Sequence, residues 1–322
     1  MLAVFCSATD AGDPLRALTI GDRPEPQAPD GWSIVTVKAA SLNHHDLWSL
    51  RGVGLPDDRL PMILGCDAAG VDEDGNEVIV HSVIADPSWS GDETLDPSRS
   101  LLSERHQGTF AQRVAVPRRN LVAKPEELSF AEAACLPTAW LTAYRMLFTR
   151  ARLVPGMTVL VQGASGGVAT ALTVLASCAG IRVWVTARSA EKREQALELG
   201  AEQAFEPGAR LPDRVDAVME TVGKATWAHS IRSLKPGGTL VVSGATTGDA
   251  SPAELTRIFF LQLSVIGSTM GTRDELERLV ALMLSRGVRP TIQHTIPLAD
   301  AREGFEAMAG GQLLGKIVFT ID

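Results

Sequence analysis

The stretch VLVQGASGGVA, residues 159–169, decides the fold of the second half of the chain. An apolar run typical of a buried strand leads into a glycine-rich turn, and a helical pattern follows. Such a turn lets backbone amides approach a phosphate, and the start of the helix favours negative charge. Ala164 and Ala169 replace two glycines of the usual G-x-G-x-x-G pattern, so the strand-turn-helix context carries the inference. We predict a dinucleotide site at Ser165, Gly166, Gly167 and Val168, although a tight crossover without a ligand would leave a similar pattern.

Strand and helix patterns alternate around this turn. They cover residues 158–162, 168–179, 182–186, 191–199, 216–219, 239–242 and 263–266. This alternation is typical of a doubly wound parallel sheet covered by helices. Capping boxes at Ser129–Glu132, Ser251–Glu254 and Thr272–Glu275 predict three helix starts, because each first residue and each glutamate can bond the free amides of a first turn.

The first third of the chain has a different pattern. Short β-rich runs at residues 33–37, 77–80 and 111–116 are separated by Pro, Gly and Asp clusters, and a further strand closes the chain at 316–319. These runs predict a mostly antiparallel β domain. The polar segment 82–107 between two of the runs predicts a long surface loop without a packed element.

Length and composition exclude several classes of protein. The chain has 322 residues, enough for about two domains, and 45% hydrophobic with 21% charged residues is an ordinary globular mixture. Its formal net charge of −8 argues against a nucleic-acid partner. The N-terminus lacks a basic region before an apolar one, and the most apolar stretch, 169–185, is broken by Gly180 and Arg182, so we expect no membrane partner. Four scattered cysteines without a CxxC pair suggest reduced thiols and a cytoplasmic location.

The end of the strand at residues 182–186, the first strand after the glycine-rich turn, predicts which dinucleotide binds. Enzymes that use NAD place an acidic residue there to accept the ribose hydroxyls, whereas this chain reads Thr186-Ala187-Arg188-Ser189. Arg188, Ser189 and Lys192 offer cations and a hydroxyl that suit a 2′-phosphate, so we predict NADPH as the cofactor. The alternative is that Ser189 only caps a helix and that the two cations are solvated.

Together these motifs resemble the medium-chain dehydrogenase/reductase superfamily, and within it the zinc-independent quinone oxidoreductase-like branch. The resemblance covers nearly the whole chain. It is carried by NHHDLW (43–48) with Arg51-Gly52, PMILGCDAAG (61–70), GTFA (108–111), segment 136–144, GGV (166–168), ETVG (220–223), PGG (236–238) and GKIV (315–318). It implies a GroES-like β domain made of residues 1–126 and 270–322, with a Rossmann domain inserted at 127–269.

The resemblance also allows a test for a metal. The zinc-dependent branch binds its catalytic ion at positions that hold Asn43, Cys66 with Asp67, and Thr138 here, and this set is poor in zinc ligands. The segment that would carry a structural zinc, residues 82–107, contains no cysteine. We therefore predict no metal, while a rebuilt site from His45, Cys66 and Asp67 stays open.

Without zinc there is no Lewis acid to stabilise an alkoxide, so conjugated acceptors are the expected substrates. The resemblance implies hydride transfer from NADPH to a quinone or an α,β-unsaturated carbonyl compound. It places Asn43 near nicotinamide and substrate, Trp48 in the pocket wall, His45 as a proton donor, and Asp67 beside them. His45 could equally be a surface histidine. The resemblance further implies a cofactor groove lined by Thr142, Val222, Gly244, Ser268 and Lys316.

Two alternative functions remain from the sequence. The chain could be an alcohol dehydrogenase with an atypical metal site, or a protein that binds NADPH without turnover. The resemblance also implies a homodimer, with the strand around Val265 as its edge. We expect the residues that select the substrate to lie in the loop 51–59 and near Met270.

Overall fold

The computed structural model describes residues 1–249, 252–311 and 313–321, which form two compact units. The first unit comprises Met1–Leu141, Met270–Leu284 and Arg289–Asp322, and the second comprises Thr142–Thr269 and Ser285–Val288. The first unit thus extends past residue 126, because the Ala-rich helix that follows Ser129 packs against strands of the first unit.

The described residues form the following strands: β1 (Leu2–Cys6), β2 (Leu18–Asp22), β3 (Trp32–Ser41), β4 (Met62–Ile63), β5 (Asp67–Val71), β6 (Glu77–Val80), β7 (Val83–Ile84), β8 (Ser100–Leu101), β9 (Arg113–Pro117), β10 (Leu121–Ala123), β11 (Thr158–Gln162), β12 (Arg182–Thr186), β13 (Gln203–Phe205), β14 (Val215–Glu220), β15 (Leu234–Val242), β16 (Ser264–Gly267), β17 (Ile292–Pro297) and β18 (Lys316–Thr320). The helices are α1 (His44–Leu50), α2 (Phe130–Ala134), α3 (Leu141–Tyr144), α4 (Gly167–Cys178), α5 (Ala190–Glu198), α6 (Trp227–Ser233), α7 (Leu255–Phe260), α8 (Arg273–Arg286) and α9 (Ala301–Ala309). π-helical turns at Leu136–Trp140 and Arg145–Arg150 flank α3.

The first unit is a mostly antiparallel GroES-like β domain. Its main sheet has the order β10-β6-β5-β3-β18-β17, with β9 also paired to β3. The aromatic rings of Phe110 and Phe319 pack edge to face in its core, with centroids 5.1 Å apart. Strand β18, late in the chain, pairs antiparallel with β3, early in the chain, so that Val318 lies opposite Ser41. This pairing brings Lys316 close to residues 42 and 43.

The second unit is the predicted Rossmann sheet. Its strands run parallel in the order β13-β12-β11-β14-β15-β16. All five residues of β11 are buried, as expected for a central strand covered on both faces. Since parallel strands end at one edge of a sheet, β11, β12 and β14 deliver Gln162, Thr186 and Glu220 to the same edge.

Two of the three predicted capping boxes are present. Ser129 Oγ accepts from the Glu132 amide at 3.2 Å, and Thr272 Oγ1 accepts from the Glu275 amide at 3.1 Å. Ser251, the first residue of the third box, lies outside the described residues, and helix α7 begins only at Leu255, after Glu254.

The segment 82–107 is more ordered than its composition predicts. It contains the β7-β8 pair, and Asp96 and Ser103 are buried. The Asp96 carboxylate accepts hydrogen bonds from the Asp86 and Ser98 amides at 2.6 and 2.7 Å. Such bonds between side chains and backbone amides let a polar sequence pack. Among the described residues, no helix is long and apolar enough to cross a membrane.

Candidate functional site

The glycine turn after β11 has the geometry of an anion site. Gly163 has φ +85°, which favours glycine, and Gly166 precedes the first turn of α4. No described side chain caps this helix, and a Cβ placed on Gly166 would meet no described atom within 4 Å. The first amides of α4 are therefore open to a ligand, and the structure brings the predicted Ser165, Gly166, Gly167 and Val168 together here.

The tip of β12 carries the residues predicted to select the cofactor. Ser189 caps α5, and its Oγ accepts from the Lys192 amide at 3.3 Å. Arg188 is exposed, and its guanidinium has no hydrogen bond or ion pair with any described residue. Arg193, which no sequence motif singled out, donates from Nη1 to the carbonyl oxygens of Ala187 and Arg188 at 2.8 and 3.2 Å. Its position four residues after the cap was the available signal.

A buried polar network joins three strand ends below the turn. Gln162 Oε1 accepts from Thr186 Oγ1 at 2.7 Å, and Gln162 Nε2 donates to Ser230 Oγ at 3.0 Å. Ser230 Oγ in turn donates to Glu220 Oε2 at 2.6 Å. This network was not predicted from the sequence, although the polar residues at the ends of buried strands were a signal for it. The network therefore holds the ends of these three strands rigidly at the carboxyl edge of the sheet.

Glu220 also shapes the turn that contains the predicted Val222. Its Oε1 accepts from the amides of Val222 and Gly223 at 2.8 and 3.0 Å. A pocket of about 360 Å³ opens beside this turn and is lined in part by Gly223 and the predicted Gly244. The other predicted groove residues are more scattered. Thr142 is buried in α3, Ser268 follows β16, and Lys316 belongs to the first unit.

The first unit holds a buried cluster of Asn43, Asp67 and Lys316. Lys316 Nζ donates to the Asn43 Oδ1 and Leu42 carbonyl oxygens at 2.6 and 2.8 Å and lies 3.6 Å from Asp67 Oδ2. Asn43 Nδ2 donates to Asp67 Oδ2 at 2.8 Å. The Asp67 carboxylate also accepts from Ser41 Oγ at 2.9 Å and from Thr138 Oγ1 at 2.5 Å. Its charge is thus compensated by one ammonium and three further donors.

This cluster does not fit a zinc ion. The positions that correspond to zinc ligands include Asn43 and Thr138, and both side chains already bond Asp67. The Lys316 ammonium lies against the same carboxylate and would repel a divalent cation. A metal would have to displace these contacts and would still lack the usual three good ligands.

A second group of metal-binding residue types lies nearby. One ligand atom from each of His45, Asp46 and Cys66 lies within 4.8 Å of the others. The two Asp46 oxygens are committed, however, because they accept from the backbone amides of Asn43 and Gly65 at 2.8 and 3.0 Å. Asp67, the third member of the predicted rebuilt site, is bonded elsewhere. Of the predicted rebuilt site, this leaves His45 and Cys66, and two donors fall short of the usual three protein ligands of a zinc site.

His45 lies instead in a chain of three side chains. Its Nδ1 is 3.3 Å from Cys66 Sγ and its Nε2 is 3.2 Å from Glu104 Oε1. Burial lowers the pKa of His45, but the Cys66 sulfur and the Glu104 carboxylate outweigh burial and raise the pKa well above its ordinary value. Glu104 lies in the polar segment 82–107 and was not predicted from the sequence to contact His45. Trp48 lies half-buried on the same helix α1 as His45.

Comparisons with known proteins cover both units. Residues 29–126 match the family described as "Alcohol dehydrogenase GroES-like domain", and residues 167–285 match "Zinc-binding dehydrogenase". A zinc-type alcohol dehydrogenase-like protein of Schizosaccharomyces pombe, C1773.06c, is 30% identical, with 91% of each chain covered. An acryloyl-coenzyme A reductase of Metallosphaera sedula is also 30% identical, with 92% of this chain and 94% of the relative covered.

Solved structures agree with this architecture. An NAD-dependent alcohol dehydrogenase superimposes with a TM-score of 0.91 and 31% identity, covering all of both chains. The 2-octenoyl-CoA carboxylase reductase CinF, solved with NADP and 2-octenoyl-CoA, has a TM-score of 0.92 and 25% identity, covering 99% of this chain and 87% of its own. Both nicotinamide cofactors therefore occur among structures similar to this chain.

Proposed function

Because this chain belongs to the medium-chain dehydrogenase/reductase superfamily of oxidoreductases, we propose that it is an NADPH-dependent reductase of conjugated carbonyl compounds that works without zinc. The substrate class includes quinones and α,β-unsaturated carbonyl compounds. The similarity to acryloyl-CoA and octenoyl-CoA reductases supports the unsaturated carbonyl compounds more directly. The assignment to the quinone oxidoreductase-like branch is part of this proposal.

The observation that carries the proposal is the Asn43-Asp67-Lys316 cluster. A buried ammonium and a fully bonded carboxylate occupy the region where a zinc enzyme of this superfamily would bind its ion. Without a Lewis acid, an alcohol oxygen loses its main stabilisation as an alkoxide. Hydride addition to a conjugated acceptor has less need of one, because the negative charge spreads over the acceptor.

The choice of NADPH rests on the tip of β12. Arg188 is exposed there, without a described partner, and Ser189 presents a hydroxyl beside it. A 2′-phosphate would complete charge-assisted hydrogen bonds with this pair, whereas the ribose of NADH would find no acidic acceptor. The open first turn of α4 would hold the pyrophosphate.

When bound, NADPH would supply the hydride. The chain's own residues then have distinct roles. Asn43 and Asp67 would keep Lys316 in place, and the ammonium would give this side of the unit a fixed positive charge. Trp48 would supply an apolar wall for the acceptor. His45 would donate the proton that completes the reduction.

A screen of NADPH consumption over quinones, enones, enoyl thioesters and aldehydes tests the proposal. We expect turnover with at least one conjugated class and little with simple aldehydes. Exclusive turnover of alcohols and aldehydes with stoichiometric bound zinc would favour the zinc-type alternative. Saturable NADPH fluorescence without consumption of any acceptor would show a binding protein without turnover.

We also propose that the protein is a homodimer joined along β16, the edge strand of the parallel sheet. Val265 on this strand is 42% exposed, and on the preceding helix α7 Leu255 and Phe260 are 70% and 73% exposed. Apolar side chains next to an unpaired strand edge favour pairing with a second copy. Sedimentation should show a dimer that Val265→Asp weakens, and a monomeric wild-type protein would contradict the assignment.

A further inference from the structure

The backbone at the tip of β12 is held by the guanidinium of Arg193. Its Nη1 donates to the carbonyl oxygens of Ala187 and Arg188, which belong to the two peptide groups that flank Arg188. We propose that Arg193 is a positioning residue for the 2′-phosphate of NADPH, because it fixes the backbone from which Arg188 and Ser189 meet that phosphate. This inference rests on the proposed function for the identity of the ligand.

A proline after the neighbouring strand leaves the Ala187 carbonyl in need of a donor. Strands β12 and β13 run parallel, and the Ala187 amide donates to the Phe205 carbonyl oxygen at 2.9 Å. In the regular parallel pattern, the amide two residues after Phe205 would donate back to the Ala187 carbonyl oxygen. That residue is Pro207, which has no N–H. Because Ala187 is buried, a carbonyl without a partner would be costly there, and Arg193 supplies the donor from helix α5.

Three sets of contacts fix the turn 187–189 between β12 and α5. The Ala187 amide continues the pairing with β13, and Ser189 Oγ accepts from the Lys192 amide at 3.3 Å. Arg193 bonds the two carbonyl oxygens between these points, while the Arg188 side chain stays exposed. A turn that is ordered before the ligand binds loses less conformational entropy on binding. Removal of Arg193 would therefore weaken the grip of Arg188 and Ser189 on a phosphate without touching either side chain.

The ion pair of Arg193 with Glu206 is a weaker contact. Arg193 Nη2 lies 3.4 Å from Glu206 Oε1, and the Glu206 side chain is 74% exposed, against 21% for Arg193. Water screens such a pair, so it contributes little to stability. The bonds from Nη1 to the two carbonyl oxygens are shorter, at 2.8 and 3.2 Å. Holding the backbone of the turn is therefore the main role of this side chain.

The same bonds make the tip of β12 more favourable for an anion. Carbonyl oxygens carry partial negative charge and repel a phosphate, whereas here a guanidinium lies against both of them. The turn also leads into the N-terminal end of α5, where the helix dipole favours negative charge. NADH has no 2′-phosphate, so its binding should depend little on Arg193.

The test measures the binding of adenosine 2′,5′-bisphosphate and of adenosine 5′-monophosphate to the full chain by titration calorimetry. Only the first nucleotide carries the 2′-phosphate. Arg193→Ala should raise the Kd of the bisphosphate about fivefold and that of the monophosphate less than about twofold. Arg302→Ala is the matched control, because Arg302 also donates to two backbone carbonyl oxygens, those of Leu15 and Leu18 in the first unit. This control should leave both Kd values unchanged.

A double-mutant cycle separates positioning from the loss of a charge. If Arg193 acts through Arg188, Arg193→Ala should raise the Kd of the bisphosphate less than about twofold when Arg188 is already alanine, whereas independent charges would each keep their full effect. In the protein without ligand, the Ala187 amide should exchange its hydrogen faster in Arg193→Ala and at the wild-type rate in Arg302→Ala.

The outcomes distinguish this inference from the proposed function. Equal losses for the two nucleotides in Arg193→Ala, or additive effects in the cycle, would overturn the role of Arg193 and leave the choice of NADPH standing. A wild-type protein that binds both nucleotides equally well would overturn the choice of NADPH and the role of Arg193 together.

Discussion

Replacing Arg188 with alanine should reduce the affinity for NADPH about tenfold and leave the affinity for NADH nearly unchanged. A hydrogen bond with a charged partner contributes about 1.5–3 kcal/mol. Arg188 is exposed at the tip of β12, so water screens its charge, and we take the low end, about 1.5 kcal/mol. This energy corresponds to roughly a tenfold increase in Kd. Ser189 and Lys192 remain in the variant, so affinity should not be lost entirely.

The assay is a titration of nucleotide fluorescence with NADPH and NADH for the wild type and two variants. Arg182→Ala is the matched control, because Arg182 lies at the other end of the same strand and pairs with Glu202 on the surface. The two arginines are roughly 20 Å apart along the strand, beyond the range of unscreened attraction. Equal losses for NADPH and NADH in Arg188→Ala, or an equal effect of Arg182→Ala, would refute the cofactor assignment.

Three further outcomes are expected. Lys316→Met should lower the free energy of unfolding in urea by about 3–5 kcal/mol, because it leaves the Asp67 charge buried without its ion pair. In the control, Lys235→Met removes the partner of the more exposed Asp216 and should lower the free energy of unfolding by about 1 kcal/mol or less. Equal losses in the two variants would contradict the reasoning. Burial raises the pKa of Asp46 from 3.8 to about 6, so the native state keeps a proton that the unfolded state has lost. Its contribution is present below about pH 4 and lost as the pH rises through about 6. Relative to Asp46→Asn, the wild type should therefore lose about 3 kcal/mol between about pH 4 and pH 7, and a constant difference would argue against this value. Protein purified without chelator should contain less than about 0.1 zinc per chain, since two donors, His45 and Cys66, do not make a zinc site, and one zinc per chain would contradict this.

Local patterns were sufficient to predict the parallel sheet and the mostly antiparallel β region, whereas the GroES-like fold was implied by the family resemblance. The glycine turn, the strand-helix alternation and the capping boxes at Ser129 and Thr272 depend on residues within a few positions of one another. Backbone conformation and hydrophobic period act at this range, so sequence alone predicts them. The short turns of segment 82–107 were missed because their polar composition is the same in a free loop and in a packed one.

The sequence by itself determined the parallel sheet and the glycine-rich turn after β11, because these follow from residue types in local order. Only the tertiary structure decided which charges meet. Lys316 reaches Asn43, 273 residues away, through the pairing of β18 with β3. Glu104 reaches His45, 59 residues away, through the packing of segment 82–107. Such contacts depend on strand register and on the path of the chain, and no local pattern in this sequence encodes either.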